Sequence, residues 1–359
     1  MPRSAATLAT FVKTPAGRWK AVVRIQGFPT TSKTFRLKRD AESWANRTED
    51  EIRRDVYVDR APSVRLSFKD AMEQYLKEVT PTKAPSTQPR ERSRARILLA
   101  HFDGYSLAAI KPQTVSDYVD ERFEVVGSPD TVRLELALLS NLFTKAIKKW
   151  NTGLQINPVS LVEKPGKAER NRRLNGWREA RKLFEACAEH SNPMLLWIVK
   201  LALYTAMRKS EIRNLRVSQI DLPRARITLQ PADTKNSRTR VVPLTERAER
   251  VLRDALANPL RPHECDLVFF GDLGKNGKRS GYVFDKVWRE VLLRAGIRDL
   301  RFHDLRHEAT SVLIESGKFD SDIEVMKMTG HSSTQMLKRY AHLRDRYLVD
   351  KVRRYPVHA

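Results

Sequence analysis

Four short stretches in the C-terminal half of this 359-residue chain carry side chains suited to phosphate chemistry. In Tyr204-Thr205-Ala206-Met207-Arg208-Lys209-Ser210-Glu211-Ile212, Arg208 follows an apolar run and stands where the next helix opens. A guanidinium there holds two phosphate oxygens in a planar fork. Glu211, three residues on, is placed to orient a neighbouring cation. In Asp233-Thr234-Lys235-Asn236-Ser237, between two short strands, Lys235 at a hairpin tip has the reach to enter a cleft and give a proton to a leaving oxygen. The same position also suits a solvated lysine. In Phe302-His303-Asp304-Leu305-Arg306-His307, His303 and Arg306 are three apart and share one helix face. In Gly330-His331-Ser332-Ser333, Gly330 ends a helix, Ser332 or Ser333 caps the next, and His331 sits in the turn, facing a cleft. Tyr340 follows nine residues later in Lys338-Arg339-Tyr340-Ala341-His342-Leu343; taken alone, such a tyrosine reads as surface packing. His303 and His307 are four apart but lack the glutamate of HExxH and a third ligand, so no metal site is expected.

Charge narrows the partner. The chain has 67 Lys+Arg against 43 Asp+Glu, a formal net charge of +24. Such a surplus repels itself unless a polyanion shares the space, and double-stranded DNA or RNA fits better than an anionic membrane surface. Cys187 and Cys265 form no CxxC pair, which argues against a cysteine zinc site. Met1 to Thr14 lacks the apolar core of a signal peptide, and Pro193 to Met207 is too short for a bilayer and carries Lys200. A cytoplasmic, nucleoid-associated protein with no membrane partner is expected.

The elements that must position these groups fall in three segments. Arg18 to Gln26 alternates apolar and basic residues, with Trp19, Val22 and Ile25 apolar; Gly27-Phe28-Pro29 breaks it, and Thr30 to Leu37 reads as a partner strand. A helix over Asp40–Val56 completes a small basic module, suited either to solvent or to a groove of DNA. After the linker Ala61-Pro62-Ser63 comes a helical segment, broken by a loop over Thr80–Pro89. Arg90, Arg92, Arg94 and Arg96 follow, too closely spaced to share one helix face. Its best helix opens at Ser128-Pro129, with Val132, Leu136, Leu139, Phe143 and Ile147 on one face and Arg133, Lys145, Lys148 and Lys149 off it. Lys164 to Asn171 is a charged hinge. The third segment is mixed. Helices are predicted at Trp177–Cys187, Met194–Tyr204, Ser210–Arg216, Tyr282–Ala295, His303–Ser316 and Asp322–Met328. Strands are predicted at Arg226–Leu229, Arg238–Val242 and Leu267–Phe270.

In order, Arg…Lys…His-x-x-Arg…His…Tyr resembles the active site of the tyrosine recombinase (phage integrase) family. The one departure is Ala206, where many members carry Gly. Within the family, Thr131 to Ser140, Asn157-Pro158-Val159 and Met336 to Arg344 look like shufflon-type DNA invertases, while the N-terminal module resembles the arm-binding domains of phage and island integrases. The resemblance implies a multidomain, mainly α fold: an N-terminal β-sheet-plus-helix arm-binding domain at 1–60, a helical SAM-like core-binding domain at 65–166, a mixed α/β catalytic domain at 172–346 and a tail at 347–359. It implies that Tyr340 attacks a scissile phosphate clamped by Arg208 and Arg306, with His303 and His331 donating hydrogen bonds, Lys235 protonating the leaving oxygen and Glu211 in support. No metal or cofactor is implied. Arg90, Arg92, Arg94, Arg96, Arg133, Lys145, Lys148 and Lys149 are the expected DNA-contacting residues. A homotetramer on two DNA sites is implied, with room for an accessory DNA-bending protein. Tyr347 and Tyr355 are rival nucleophiles without the His331 spacing, and Leu348 and Val352 in the tail either dock on a neighbouring subunit or belong to a frayed end. A phage or genomic-island integrase is the alternative; a type IB topoisomerase and a non-catalytic DNA-binding regulator are more remote.

Overall fold

A computed structural model describes residues 9–167, 170–234, 238–319 and 321–338, together with 340, 343, 349, 352 and 353. The chain divides into two compact units, Met1–Glu169 and Arg170–Ala359. The architecture is mainly α, with three small antiparallel sheets among the described residues.

The first unit opens with a sheet of β1 (Ala9–Lys13), β2 (Trp19–Val23) and β3 (Thr31–Phe35). Only two of these strands were expected; β1, five residues long like the others, is the addition. In β2 the buried face is Ala21 and Val23, at the period of two that a pleated strand imposes; Val22 points the other way and Ile25 lies beyond the strand. Helix α1 (Lys38–Arg53) lays Ala41, Ala45 and Ile52 on that face. The expected linker at residues 61–63 instead starts a short helix, α2 (Ala61–Arg65), with Pro62 in its first turn where no amide donor is needed.

Four longer helices follow: α3 (Phe68–Glu78), α4 (Gln88–His101), α5 (Pro112–Val126) and α6 (Pro129–Lys149). The expected loop before α4 is partly ordered as a single 3-10 turn at Thr80–Thr82. Ser128 and Pro129 open α6 as expected, and Val132, Leu136, Leu139 and Phe143 are buried against Phe68, Phe102 and Tyr118. Two buried carboxylates pin this bundle. Glu91 accepts from Thr80 Oγ1 (2.8 Å) and Lys83 Nζ, and Glu135 accepts from Tyr118 Oη (2.6 Å) and from Arg122 Nε (3.0 Å).

The second unit is built on α8 (Met194–Thr205), the most apolar helix, buried through Leu195, Ile198, Val199 and Ala202. It packs on α7 (Gly176–Ala188), α10 (Glu246–Leu256) and α12 (Phe302–Glu315). α10 was not anticipated, although Ala248, Val251, Leu252 and Ala255 carry a helical stripe. The short α9 (Lys209–Arg213) ends three residues before expectation. β4 (Ile220–Asp221), β5 (Arg226–Leu229) and β6 (Arg240–Pro243) form a second antiparallel sheet, with the expected site residue Lys235 falling between β5 and β6 in sequence. The strand expected at residues 267–270 begins only at Phe270: β7 (Phe270–Leu273) pairs with β8 (Arg279–Gly281), while Leu267 makes a single bridge to Arg216. α11 (Asp285–Arg294) starts after an extended Tyr282, whose amide bonds Phe269 O (3.0 Å). α13 (Asp322–Thr329) closes on Gly330. No helix among the described residues is long and apolar enough to cross a membrane.

Two helix ends shape the site. α8 stops at Ala206 and α13 at Gly330, with φ of 53° and 72°. Glycine tolerates that left-handed backbone, whereas alanine bears a clash between its Cβ and carbonyl oxygen. Ala206→Gly is therefore expected to stabilise the protein by about 1 kcal/mol, read as a higher thermal midpoint.

Candidate active site

The site is assembled around Glu211. Its carboxylate, 2% exposed, caps α9 by accepting from Arg208 N (2.9 Å). It also accepts from Arg208 Nη1 (2.7 Å) and from Arg240 Nη1 (2.8 Å). Burial pushes the carboxyl pKa up, but Arg240 and Arg208 pull harder, and it ends below the usual carboxylate range. Glu211 is a fixed anion at neutral pH.

The cations reach out from Glu211 to the turn after α13. Arg208 Nη2 bonds Gly330 O (2.6 Å) and Arg240 Nη2 bonds Met328 O (2.5 Å). Gly330 is required here by space as well as by φ, because a Cβ would lie 2.7 Å from Arg240 Nε. Arg306, on α12, is 3% exposed; its Nη1 bonds Ala206 O and its Nη2 lies 3.4 Å from His331 Nε2. Burial, then Arg208 and Arg240, lower the Arg306 pKa to about 9, so it stays cationic at pH 7. Burial likewise lowers that of Arg240. Three guanidiniums thus share one carboxylate, a surplus of positive charge that an anion would relieve. Arg208, Arg240, Gly330 and His331 line a cavity of about 700 Å³ together with Thr234 and Arg238.

His331 is held neutral. Burial, then Arg306 and Arg208, depress its pKa to about 3. Thr329 Oγ1 donates to Val325 O (2.7 Å), so its lone pairs take the Nδ1–H of His331 at 2.7 Å. Nε2 is then the acceptor that faces Arg306. The turn position expected from the sequence holds, with the ring half-buried.

Tyr340 is 5% exposed rather than a surface residue, and its hydroxyl is hydrogen-bonded to His307 Nδ1. It also interacts electrostatically with Arg306. His303, expected to stand with Arg306, is exposed, and its ring meets that of His307 edge-on at 4.9 Å. Lys235 lies outside the described residues; on either side of it in sequence, Thr234 Oγ1 donates to Arg238 O (2.8 Å). Tyr347, Leu348 and Tyr355 also lie outside them, while Val352 is exposed. Among the described residues no cluster of three or more His, Cys, Asp or Glu could hold a metal.

The sequence reading missed Arg240 and the pairing of His307 with Tyr340. Arg240 occupies an inward position of β6, where alternation alone calls for an apolar residue. His307 was weighed only as a metal ligand. The expected hinge is also partly tied down. Arg170 Nη2 bonds Asp304 Oδ2 (2.7 Å) and its Nη1 bonds Asp299; Arg173 bonds Glu308 and Glu315. Asp304 in turn caps α12 through Arg301 N (2.8 Å).

Of the expected DNA-contacting residues in the first unit, Arg90, Arg92, Arg96, Lys148 and Lys149 are exposed and Arg94 and Lys145 half-buried. Arg133 is half-buried and gives Nη1 to Pro165 O (2.7 Å), so part of its bonding capacity is used within the chain.

Two outcomes follow from these electrostatics. Glu211→Ala leaves Arg208 and Arg240 without their buried counter-charge and is expected to cost about 3–5 kcal/mol in denaturant unfolding. For His331 the folded pKa of about 3 lies below the ordinary 6.5. Below pH 6.5 the unfolded chain takes up a proton that the folded site refuses, so stability declines as pH falls from 6.5 toward 3. His331→Gln should flatten that decline, measured as thermal midpoints on either side of pH 6.5.

The phage integrase family matches residues 177–346. Over 305 residues the chain is 39% identical to the shufflon-specific DNA recombinase of Escherichia coli, covering 81% of this chain and 73% of that protein. It is 26% identical over 363 residues to the integrase of Haemophilus phage HP1, covering 96% and 97%. Its fold is like that of lambda integrase in a dimer bound to a COC′ core site, with TM-score 0.62 and 16% identity over 96% of this chain and 97% of that one. It is also like the Tn1549 transposon integrase in complex with a circular intermediate DNA, with TM-score 0.63 and 17% identity over 81% and 100%. The chain therefore belongs to the phage integrase family of tyrosine recombinases.

Proposed function

We propose that this chain cuts and rejoins double-stranded DNA at specific sites through a covalent link to Tyr340, and that it acts as a DNA invertase of the shufflon type. The observation that carries this reading is the convergence of Arg208, Arg306, His331 and Tyr340, from three separate stretches of sequence, on a buried surplus of positive charge.

Each step follows from the side chains. A DNA phosphodiester supplies further negative charge to three guanidiniums that share the single carboxylate of Glu211. As the Tyr340 oxygen attacks phosphorus, negative charge grows on the nonbridging oxygens, where preorganised donors are each worth about 3–4 kcal/mol. His303 adds a donor at the cleft; His331, whose Nδ1 proton is engaged by Thr329, donates through Nε2 only once the phosphate has arrived to favour its protonated form. Lys235 protonates the departing 5′ oxygen. A 3′-phosphotyrosyl link remains, and the 5′-hydroxyl of a partner strand reverses the step. Bond energy is kept in the phosphotyrosine, so neither ATP nor a metal is called for. Glu211 holds the arginines in place and touches no substrate.

Strand exchange needs two duplexes and four such sites, hence a homotetramer on DNA. The helical segment at 65–166 would bind the core site through Arg90, Arg92, Arg94, Arg96, Lys145, Lys148 and Lys149, and the sheet module at 1–60 an arm-type site. That sheet, and the match along almost the whole of the HP1 integrase, favour a second reading in which the reaction is integration and excision. Recombination assays on inverted repeats against paired attachment sites, with and without a DNA-bending protein, separate the two.

The covalent step is tested on DNA nicked at the crossover, which traps the intermediate. Wild type is expected to give a protein–DNA adduct on a denaturing gel. Tyr340→Phe should give none while binding the same DNA with unchanged affinity, and an adduct of normal yield in that variant would sink the assignment.

A further inference from the structure

We propose that His307 is the base that takes the Tyr340 proton during cleavage and the acid that returns it during rejoining; this rests on Tyr340 being the nucleophile. The family pattern draws attention to His303, but the two histidines stand very differently. They are one helical turn apart on α12, with rings 4.9 Å apart and edge-on. His303 is exposed, while His307 is half-buried and its Nδ1 is on the Tyr340 hydroxyl.

Among the described residues, the groups placed near Tyr340 differ in their ability to take its proton. At 5% exposure the residue is poorly placed to pass it to bulk water. Arg306, which interacts with Tyr340 electrostatically, stabilises a phenolate but carries no lone pair to accept a proton. His331 Nδ1 is engaged by Thr329, and its Nε2 faces Arg306. Lys235 is assigned to the other oxygen. His307 is the neighbour already in hydrogen-bond contact, the geometry a general base needs. Among the described residues, the charged and titratable groups that face it include His303 and Asp304 on its own helix, Tyr340, and His331 from the turn after α13.

The proton balance closes. In cleavage the Tyr340 O–H bond breaks, N–H forms at His307 Nδ1, O–P forms, P–O5′ breaks, and the 5′ oxygen takes a proton from Lys235. In rejoining, the 5′-hydroxyl attacks while its proton goes back to Lys235. The P–O bond to Tyr340 breaks, and Nδ1 gives its proton back to the phenol. Each enzyme group ends as it began.

The test is the single-turnover rate of adduct formation by the full-length protein on nicked DNA, with either an ordinary phosphate or a 5′-bridging phosphorothiolate, whose sulfur leaves without a proton. His307→Ala is expected to slow cleavage by about 10²–10⁴ on both substrates, and added imidazole should restore part of the rate. Lys235→Ala should be slow on the oxygen substrate only. His307→Asn keeps an acceptor for the tyrosine hydroxyl but cannot take its proton, so it should stay slow and lose the rise in rate with pH that deprotonation of His307 gives the wild type. Full activity in His307→Asn would reduce His307 to a packing or positioning role and overturn the proposal, as would a His307→Ala defect cured by the phosphorothiolate. Absence of any adduct from the wild type on either substrate would instead remove the reading of Tyr340 on which the proposal rests.

Discussion

The second unit depends on one buried carboxylate. Glu211 holds Arg208 and Arg240 at hydrogen-bond distance in a place from which water is nearly excluded, and through them it holds the turn at residues 328–330. Without it, the guanidiniums would repel one another across a low-dielectric interior. With it, they are fixed but not neutralised, because Arg306 adds a third positive charge to the same neighbourhood. The fold thereby carries a buried surplus of positive charge, which an anion would relieve.

Rigid backbone features turn that charge into geometry. Ala206, in a left-handed conformation at the end of α8, aims its carbonyl at Arg306, and Gly330 does the same for Arg208 at the end of α13. The absence of a side chain on Gly330 lets Arg240 lie against the turn. Thr329 fixes the tautomer of His331. The donors are thus oriented before any ligand arrives, the condition under which they stabilise a developing charge most.

A second tie runs from the start of the unit to α12. Arg170 grips Asp304, the residue between His303 and Leu305 that also caps α12. The segment entering the unit is thus joined directly to the helix that bears His303, Arg306 and His307. Chain entry and site geometry are mechanically linked within this unit, and the bidentate contact of the partly exposed Arg170 with the buried Asp304 stiffens the link.

Much of this could be read from the order of residues. Local pattern determined α6, with its Ser-Pro start and apolar stripe, and also α8 and α12, because a helix places neighbours in sequence next to each other in space. The types and spacing of Arg208, His303, Arg306, His331 and Tyr340 carried the family resemblance, and the surplus of Lys and Arg pointed to a nucleic acid without choosing between DNA and RNA. Strand edges were less legible: a slip of one residue reverses the buried face, as Val22 showed, and the start of β7 at Phe270 is set by its partner β8. What only the tertiary structure decided is which group touches which. Arg240 reaches Glu211 across 29 residues, Arg306 reaches Ala206 across 100, and Arg208 reaches Gly330 across 122. His307 meets Tyr340 across 33. No periodicity extends over such separations. Whether an arginine on a strand is solvated or becomes the buried counterpart of a glutamate depends on packing that brings distant segments together.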